Sequence, residues 1–119
     1  MIKDMSYEEY IELVQHSNGL SRECPVCKSL ELFSSKWRLA VIYELSKKCN
    51  YRFNELRKAL GTITNTMLTT TLRDLEKLDI VNRVQFNEIP PHVEYSLTEK
   101  GKACFPIFYE IAKWGEKYL

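Results

Sequence analysis

Two groups of side chains in this 119-residue chain have types and spacings that could do chemistry. The first is Cys24-Pro25-Val26-Cys27. Proline is favoured at the first position of a helix, so Cys24 is expected at a helix N-terminus, with Arg22 and Lys28 close in sequence. The positive end of the helix dipole lowers a thiol pKa there and favours a thiolate. Such a thiolate would react with oxidants or electrophiles, and Cys27, one turn on, could act as the resolving partner. Other uses of the pair stay open. Both thiols could simply pack, because buried free cysteine is common. The pair is also half of a zinc pattern, but Cys49 and Cys104 stand apart, and His16 and His92 form no paired motif. A thiol–disulfide oxidoreductase would place its C-x-x-C on a βαβ scaffold, and this sequence shows no such alternation. It has no Gly-rich phosphate loop, paired catalytic carboxylates or Ser/His/Asp arrangement either, so neither an enzyme nor a cofactor is expected.

The second group lies on one segment. Stepped at about 100° per residue, residues 65–78 place Met67, Leu68, Leu72, Leu75 and Leu78 on one side of a helix. Asn65, Thr66, Thr69, Thr70, Arg73 and Lys77 fall on the other. Threonine is a mediocre helix former, and solvent faces usually carry Glu, Lys or Ala, so a threonine-rich face with few acids calls for a reason. Short hydroxyls permit close approach, and Asn65 and Arg73 can donate to base edges or phosphates. The bland alternative is an ordinary polar helix surface.

Several elements must position these groups. Ser6-Tyr7-Glu8-Glu9 has the form of a capping box, with Met5 and Tyr10 as its hydrophobic staple, and predicts a helix over 7–16 closed by Asn18-Gly19. The helix opened by Cys24-Pro25 should run toward Phe33, and Ser34-Ser35 interrupts. Trp37, Val41 and Leu45 then mark a central core helix ending near Lys47-Lys48. After the connection Cys49-Asn50-Tyr51, Phe53, Leu56 and Leu60 give a short amphipathic helix that stops at Gly61, and Thr64 caps the threonine-rich helix. From Ile80 the period becomes two, and residues 80–86 and 93–97 read as a hairpin closed by residues 87–92. Thr98 caps a last helix, which Pro106 should kink. Cys104, Phe105, Phe108, Ile111 and Ala112 form one apolar stripe on it; Ile107, Trp114 and Tyr118 form another.

Helix, turn, helix, hairpin and closing helix, in that order, predict a mainly α (α+β) winged helix-turn-helix with five to six helices and a two-stranded wing. Length and the absence of a long linker suggest a single domain over 1–119. No stretch is apolar enough for a membrane span or a secretory signal, so a cytoplasmic protein with reduced thiols is expected. The net charge of +1 makes no general case for nucleic acid, but charge is segregated. From Lys36 to Lys58 there are seven bases against two acids, whereas residues 1–23 carry five acids against two bases. A solvated helical face is the plain reading of such a run.

Cys24-Pro25, Lys36-Trp37, Arg52-Phe53-Asn54-Glu55-Leu56, Ile63-Thr64-x-x-Met67-Leu68-x-x-x-Leu72-x-x-Leu75, Pro90-Pro91-x-Val93-Glu94-Tyr95-Ser96-Leu97-Thr98-x-x-Gly101 and Trp114-Gly115 follow one another over residues 24–116. In that order and spacing they resemble the HxlR family of MarR-like regulators. The resemblance implies a winged-helix homodimer that regulates transcription from a double-stranded DNA operator. By position it implies groove reading by Asn65, Thr66, Thr69, Thr70 and Arg73. Arg52, Asn54 and Lys58 become candidate phosphate anchors, Arg83, Gln85, Asn87 and His92 candidate wing contacts, and Lys77 a further basic contact. Trp37 and Phe53 read as core. In the oxidant- or electrophile-sensing branch of the family a cysteine precedes proline at this position, which makes Cys24 the candidate sensor and a small electrophile or oxidant the candidate effector. The chain departs from the family pattern at Asp79, where glycine is common, and at Cys27.

One recognition helix covers only a few base pairs, so two copies are expected to pair and place their helices roughly 34–36 Å apart on a pseudo-palindrome. Surplus apolar surface for that pairing lies on the first helix, at Tyr7, Tyr10, Ile11 and Val14, and on the last, at Phe108, Ile111, Trp114 and Tyr118. A winged helix used only for protein contacts, and a zinc-responsive regulator, are the alternatives.

Overall fold

The computed structural model describes residues 2–17 and 24–119. Asn18 and Gly19, expected to end the first helix, and Arg22, expected beside Cys24, lie outside the described residues. The chain divides into two compact units, Met1–Leu32 and Phe33–Leu119.

In the first unit, α1 spans Tyr7–Gln15 and α2 starts at Pro25, ending at Phe33 where the second unit begins. The Ser6 side chain caps α1 by accepting from the Glu9 amide at 3.1 Å. The Glu9 carboxylate accepts from the Ser6 hydroxyl, where a full capping box would have it reach the Ser6 amide. Tyr7 and Val14 are exposed, and Tyr10 and Ile11 are half-buried.

The second unit is built around α3 (Lys36–Leu45), α4 (Phe53–Leu60) and α5 (Asn65–Lys77). Ser35 and Thr64 cap α3 and α5 by accepting from the amides of Arg38 and Met67. Gly61 ends α4 at φ 75°, a left-handed conformation that suits glycine. Val41, Ile42, Leu45, Leu56, Ile63, Leu68, Leu72, Leu75, Ile80 and Val81 form a continuous buried cluster, with Trp37 and Phe53 packed against it.

The sheet has a strand more than the hairpin predicts. Besides β2 (Val81–Phe86) and β3 (His92–Leu97), the two residues Tyr51–Arg52 form β1, which pairs with β3 and gives the antiparallel order β1-β3-β2. Tyr51 lies opposite Tyr95, and Arg83 also lies opposite Tyr95 on its other side. His92 belongs to β3, opposite Phe86, and not to the connecting loop.

The closing helix is also in two pieces, α6 (Glu99–Lys102) and α7 (Phe105–Tyr118). Pro106 therefore does not kink a helix interior. It occupies the first turn of α7, where the missing N–H has no intrahelical partner to lose. On α5 the structure differs from the expected inner face at Met67, and its neighbour one turn on, Thr71, which the periodicity left unassigned, turns inward. Met67 is 44% exposed, and Thr71 is buried with its hydroxyl donating back to the Met67 carbonyl at 2.7 Å.

Candidate nucleic-acid interface and thiol pair

Helix α5 presents Asn65, Thr66, Thr69, Thr70, Arg73 and Lys77 to solvent, all exposed, while Leu68, Thr71, Leu72 and Leu75 hold its other side in the core. The face that sequence periodicity marks as outward is open. Ahead of it, α4 exposes Asn54 and Lys58, with exposed Arg52 immediately before its first turn. The Arg52 amide donates to the Glu55 carboxylate at 2.9 Å and fixes that turn. On the wing, Arg83, Gln85 and Asn87 are exposed.

His92 is differently placed. Its ring stacks on Phe86 with centroids 4.8 Å apart, Nε2 lies 2.9 Å from the Glu94 carboxylate, and the side chain is only 13% exposed. The imidazole braces the wing and offers little surface to a partner, contrary to the expected wing contact.

The cations divide by partnership. Lys47, Lys48, Lys102 and Lys113 are paired with Glu44, Glu55, Glu99 and Glu110, and Arg38 with Asp74. Lys58, Arg73, Lys77 and Arg83 have no carboxylate within ion-pair distance among the described residues, while Arg52 lies near enough to Glu55 to help lower its pKa. A guanidinium or ammonium left free beside an open polar helix face is available to an anion.

Between α5 and the wing lies a notch of about 270 Å³ lined by Thr69, Leu72, Arg73, Glu76, Arg83 and Tyr95. Sequence reasoning missed Glu76 and Tyr95 here. The period-two pattern turns Tyr95 inward, but only the strand register shows that Arg83 stands opposite it and that both meet α5.

At the start of α2 the Cys24 thiol pKa is lowered, first by hydrogen bonds from the backbone amides of Cys27 and Val26 and then by the Cys27 thiol. The Cys27 thiol is raised by burial and by the neighbouring Cys24 charge. The lowered value favours a nucleophilic thiolate at Cys24, whereas Cys27 would have to give up its proton before it could attack. Among the described residues no three His, Cys, Asp or Glu side chains gather as a metal site would require. Cys49 is exposed and Cys104 buried, and neither is disulfide-bonded.

On α7, Phe108 is buried at 6% exposure, stacked on Tyr43 and edge-on to Phe33 and Phe105. It packs within its own chain and cannot supply the interface expected of it. Ile111, Trp114 and Tyr118 are exposed, Trp114 by 57%.

A helix pair with an open second helix, followed by a β-wing, defines the winged helix-turn-helix class of fold. Residues 32–119 match the family described as HxlR-like helix-turn-helix, and the chain belongs to that family of regulators, not to an enzyme family. It is 40% identical over 107 residues to the HTH-type transcriptional regulator YdeP of Bacillus subtilis, covering 88% of this chain and 81% of that protein. A structure from Porphyromonas gingivalis W83 assigned to the MarR family of transcriptional regulators superposes with a TM-score of 0.75 at 38% identity, over 87% of this chain and all (100%) of that one. The redox regulator HypR in its oxidized form superposes at 0.69 and 41% identity, over 81% and 98%. No helix among the described residues is long and apolar enough to cross a membrane.

Proposed function

We propose that the chain is a sequence-specific repressor that binds a pseudo-palindromic duplex operator as a homodimer. In this reading α5 enters the major groove with Asn65, Thr66, Thr69 and Thr70 toward the bases, and Arg73 beside them donates to a base edge or a phosphate. Arg52, Asn54, Lys58 and Lys77 meet flanking phosphates, and Arg83, Gln85 and Asn87 of the wing reach the adjoining backbone. The observation that carries it is the coincidence of an exposed, acid-poor α5 face with cations that have no carboxylate partner. The terminal helices pair the two copies, through Tyr7, Tyr10, Ile11 and Val14 on α1 and Ile111, Trp114 and Tyr118 on α7.

Cys24 is the sensor of an oxidant or electrophile. Its lowered pKa supports this role, as do the neighbouring Cys27 thiol and the likeness to a protein described as a redox regulator. Oxidation to a Cys24–Cys27 disulfide would transfer two electrons to an oxidant such as diamide and release two thiol protons. The test is an electrophoretic shift on the DNA upstream of the chain's own gene, with and without diamide, for the wild type and Cys24→Ser. The expected result is a salt-sensitive complex that diamide releases only in the wild type. No shift on this or on random-sequence duplex at low salt would refute DNA binding, and equal behaviour of both proteins would return Cys24 to a packing role.

A further inference from the structure

The notch between α5 and the wing holds a combination that the helix face alone does not. Arg83 projects from β2 on the same side of the sheet as its cross-strand neighbour Tyr95, and Arg73 reaches the same space from α5. Neither guanidinium has a carboxylate partner among the described residues. Tyr95 is nine-tenths buried, lines the notch, and its hydroxyl makes no hydrogen bond with a described residue. Among the described residues no buried side-chain oxygen lacks a partner, so this hydroxyl opens to the solvent of the notch, where it can donate to an incoming acceptor. Glu76 is the one carboxylate in the lining, and two cations outweigh it.

Resting on the DNA-binding reading above, we propose that this notch seats one phosphodiester of the DNA backbone, gripped jointly by Arg73, Arg83 and the Tyr95 hydroxyl. Arg73 then fixes register on the backbone and does not read a base. Thr69, on the notch rim, connects this phosphate seat to the reading face of α5. Planar guanidinium forks approaching from two elements suit a tetrahedral anion, and a phenolic donor completes its coordination. The other basic cleft, between Lys47, Lys48 and Lys102, lacks this character because each lysine already has a carboxylate partner.

The test is fluorescence anisotropy with a labelled random-sequence duplex over a salt series. Tyr95→Phe should bind roughly tenfold more weakly, as for a lost hydrogen bond to a charged group, with an unchanged melting temperature. Arg73→Ala and Arg83→Ala, taken singly, should keep the wild-type salt slope because the remaining guanidinium still neutralises the phosphate. The double variant should lose about 0.9 from that slope per notch engaged. The lysine versions, Arg73→Lys with Arg83→Lys, should retain it. Single variants that each lose that amount would mean two separate phosphates and overturn the proposal. So would full affinity in Tyr95→Phe, or a changed base preference of Arg73→Ala in selection from randomised duplexes. Inorganic phosphate bound in the notch by a protein whose variants bind duplex normally would make it a free-anion site and overturn it too. Failure of the wild type to bind any duplex would instead strike down the DNA-binding reading itself.

Discussion

At Asp79 the backbone adopts φ 61°, the left-handed region that side chains with a Cβ enter at a cost. The Ile80 amide donates to the Leu75 carbonyl at 2.9 Å and the Asp79 amide to that of Glu76 at 3.0 Å, the paired bonds of a Schellman ending for α5. The family's usual glycine at this position thus has a physical reason, and this chain carries the strain. Asp79→Gly should stabilise the protein by about 1 kcal/mol and raise its melting temperature by about 3–6 °C in calorimetry. Gly101 shows the converse. A Cβ there would press on the Ile80 carbonyl oxygen, which also accepts from the Thr98 amide at 3.0 Å, while the Thr98 hydroxyl donates chiefly to the Asp79 carbonyl at 2.6 Å. Gly101→Ala should cost about 2 kcal/mol or more, visible as a lower denaturation midpoint, because the obstacle is backbone and cannot swing away. For the thiols, iodoacetamide labelling read by mass spectrometry should show Cys24 reacting at a lower pH than an ordinary thiol and Cys27 at a higher one. Equal midpoints would show that the amides at the start of α2 do not favour the thiolate.

Between elements, one polar chain ties α3, β1 and α4 together. The Tyr51 hydroxyl donates to the Glu44 carboxylate at 2.6 Å, Lys48 reaches Glu55 at 2.7 Å and lies over the Tyr51 ring, and Glu55 holds the Arg52 amide. The Tyr51 hydrogen bond, followed by Lys47, lowers the Glu44 pKa; Lys48, then the Arg52 amide, lower that of Glu55. The same carboxylate of Glu44 pushes Tyr51 up to about 12. Carboxylates with depressed folded-state values contribute stability above their unfolded value of 4.5, and that contribution is lost as pH falls through the folded values. Tyr51 has the opposite sign: its contribution is complete below 10.0 and disappears as pH rises toward about 12. Tyr51→Phe should lower stability at neutral pH by about 1–2 kcal/mol and flatten both limbs of the stability–pH curve in urea titrations.

How far these elements could be read in advance follows the strength of their signals. Helices α1 to α5 emerged from caps and apolar periodicity, because Ser6, Pro25, Ser35, Thr64 and Gly61 act on their own neighbours. Strand β1 did not. Two residues carry no period, and Tyr51 is buried through its pairing with Tyr95, a contact distant in sequence. The inward turn of Thr71 was hidden because its hydroxyl is satisfied by the Met67 carbonyl, so a polar side chain could replace an apolar one in the core. The outward face of α5 was legible from its residues alone. The notch depends on a strand register and a helix–sheet contact, and no local pattern encodes either.

For the whole molecule, two copies are required if a pseudo-palindrome is read, and in the proposed dimer the exposed apolar side chains of α7 would supply their contact. Trp114→Asp should give a monomer in sedimentation and much weaker operator binding, whereas Phe108→Ala should chiefly destabilise each chain, because Phe108 is packed inside it. An unaltered Trp114→Asp dimer would move the interface elsewhere.

The central claim, that the outer side of α5 lies against duplex DNA, is tested most directly by methyl NMR of threonine-labelled protein titrated with the DNA upstream of its gene. Thr66, Thr69 and Thr70 should shift or broaden together at low salt and recover as salt is raised, while Thr71, buried in the core, moves little. Unchanged Thr66, Thr69 and Thr70 methyls in a protein that demonstrably retains the DNA would contradict the account.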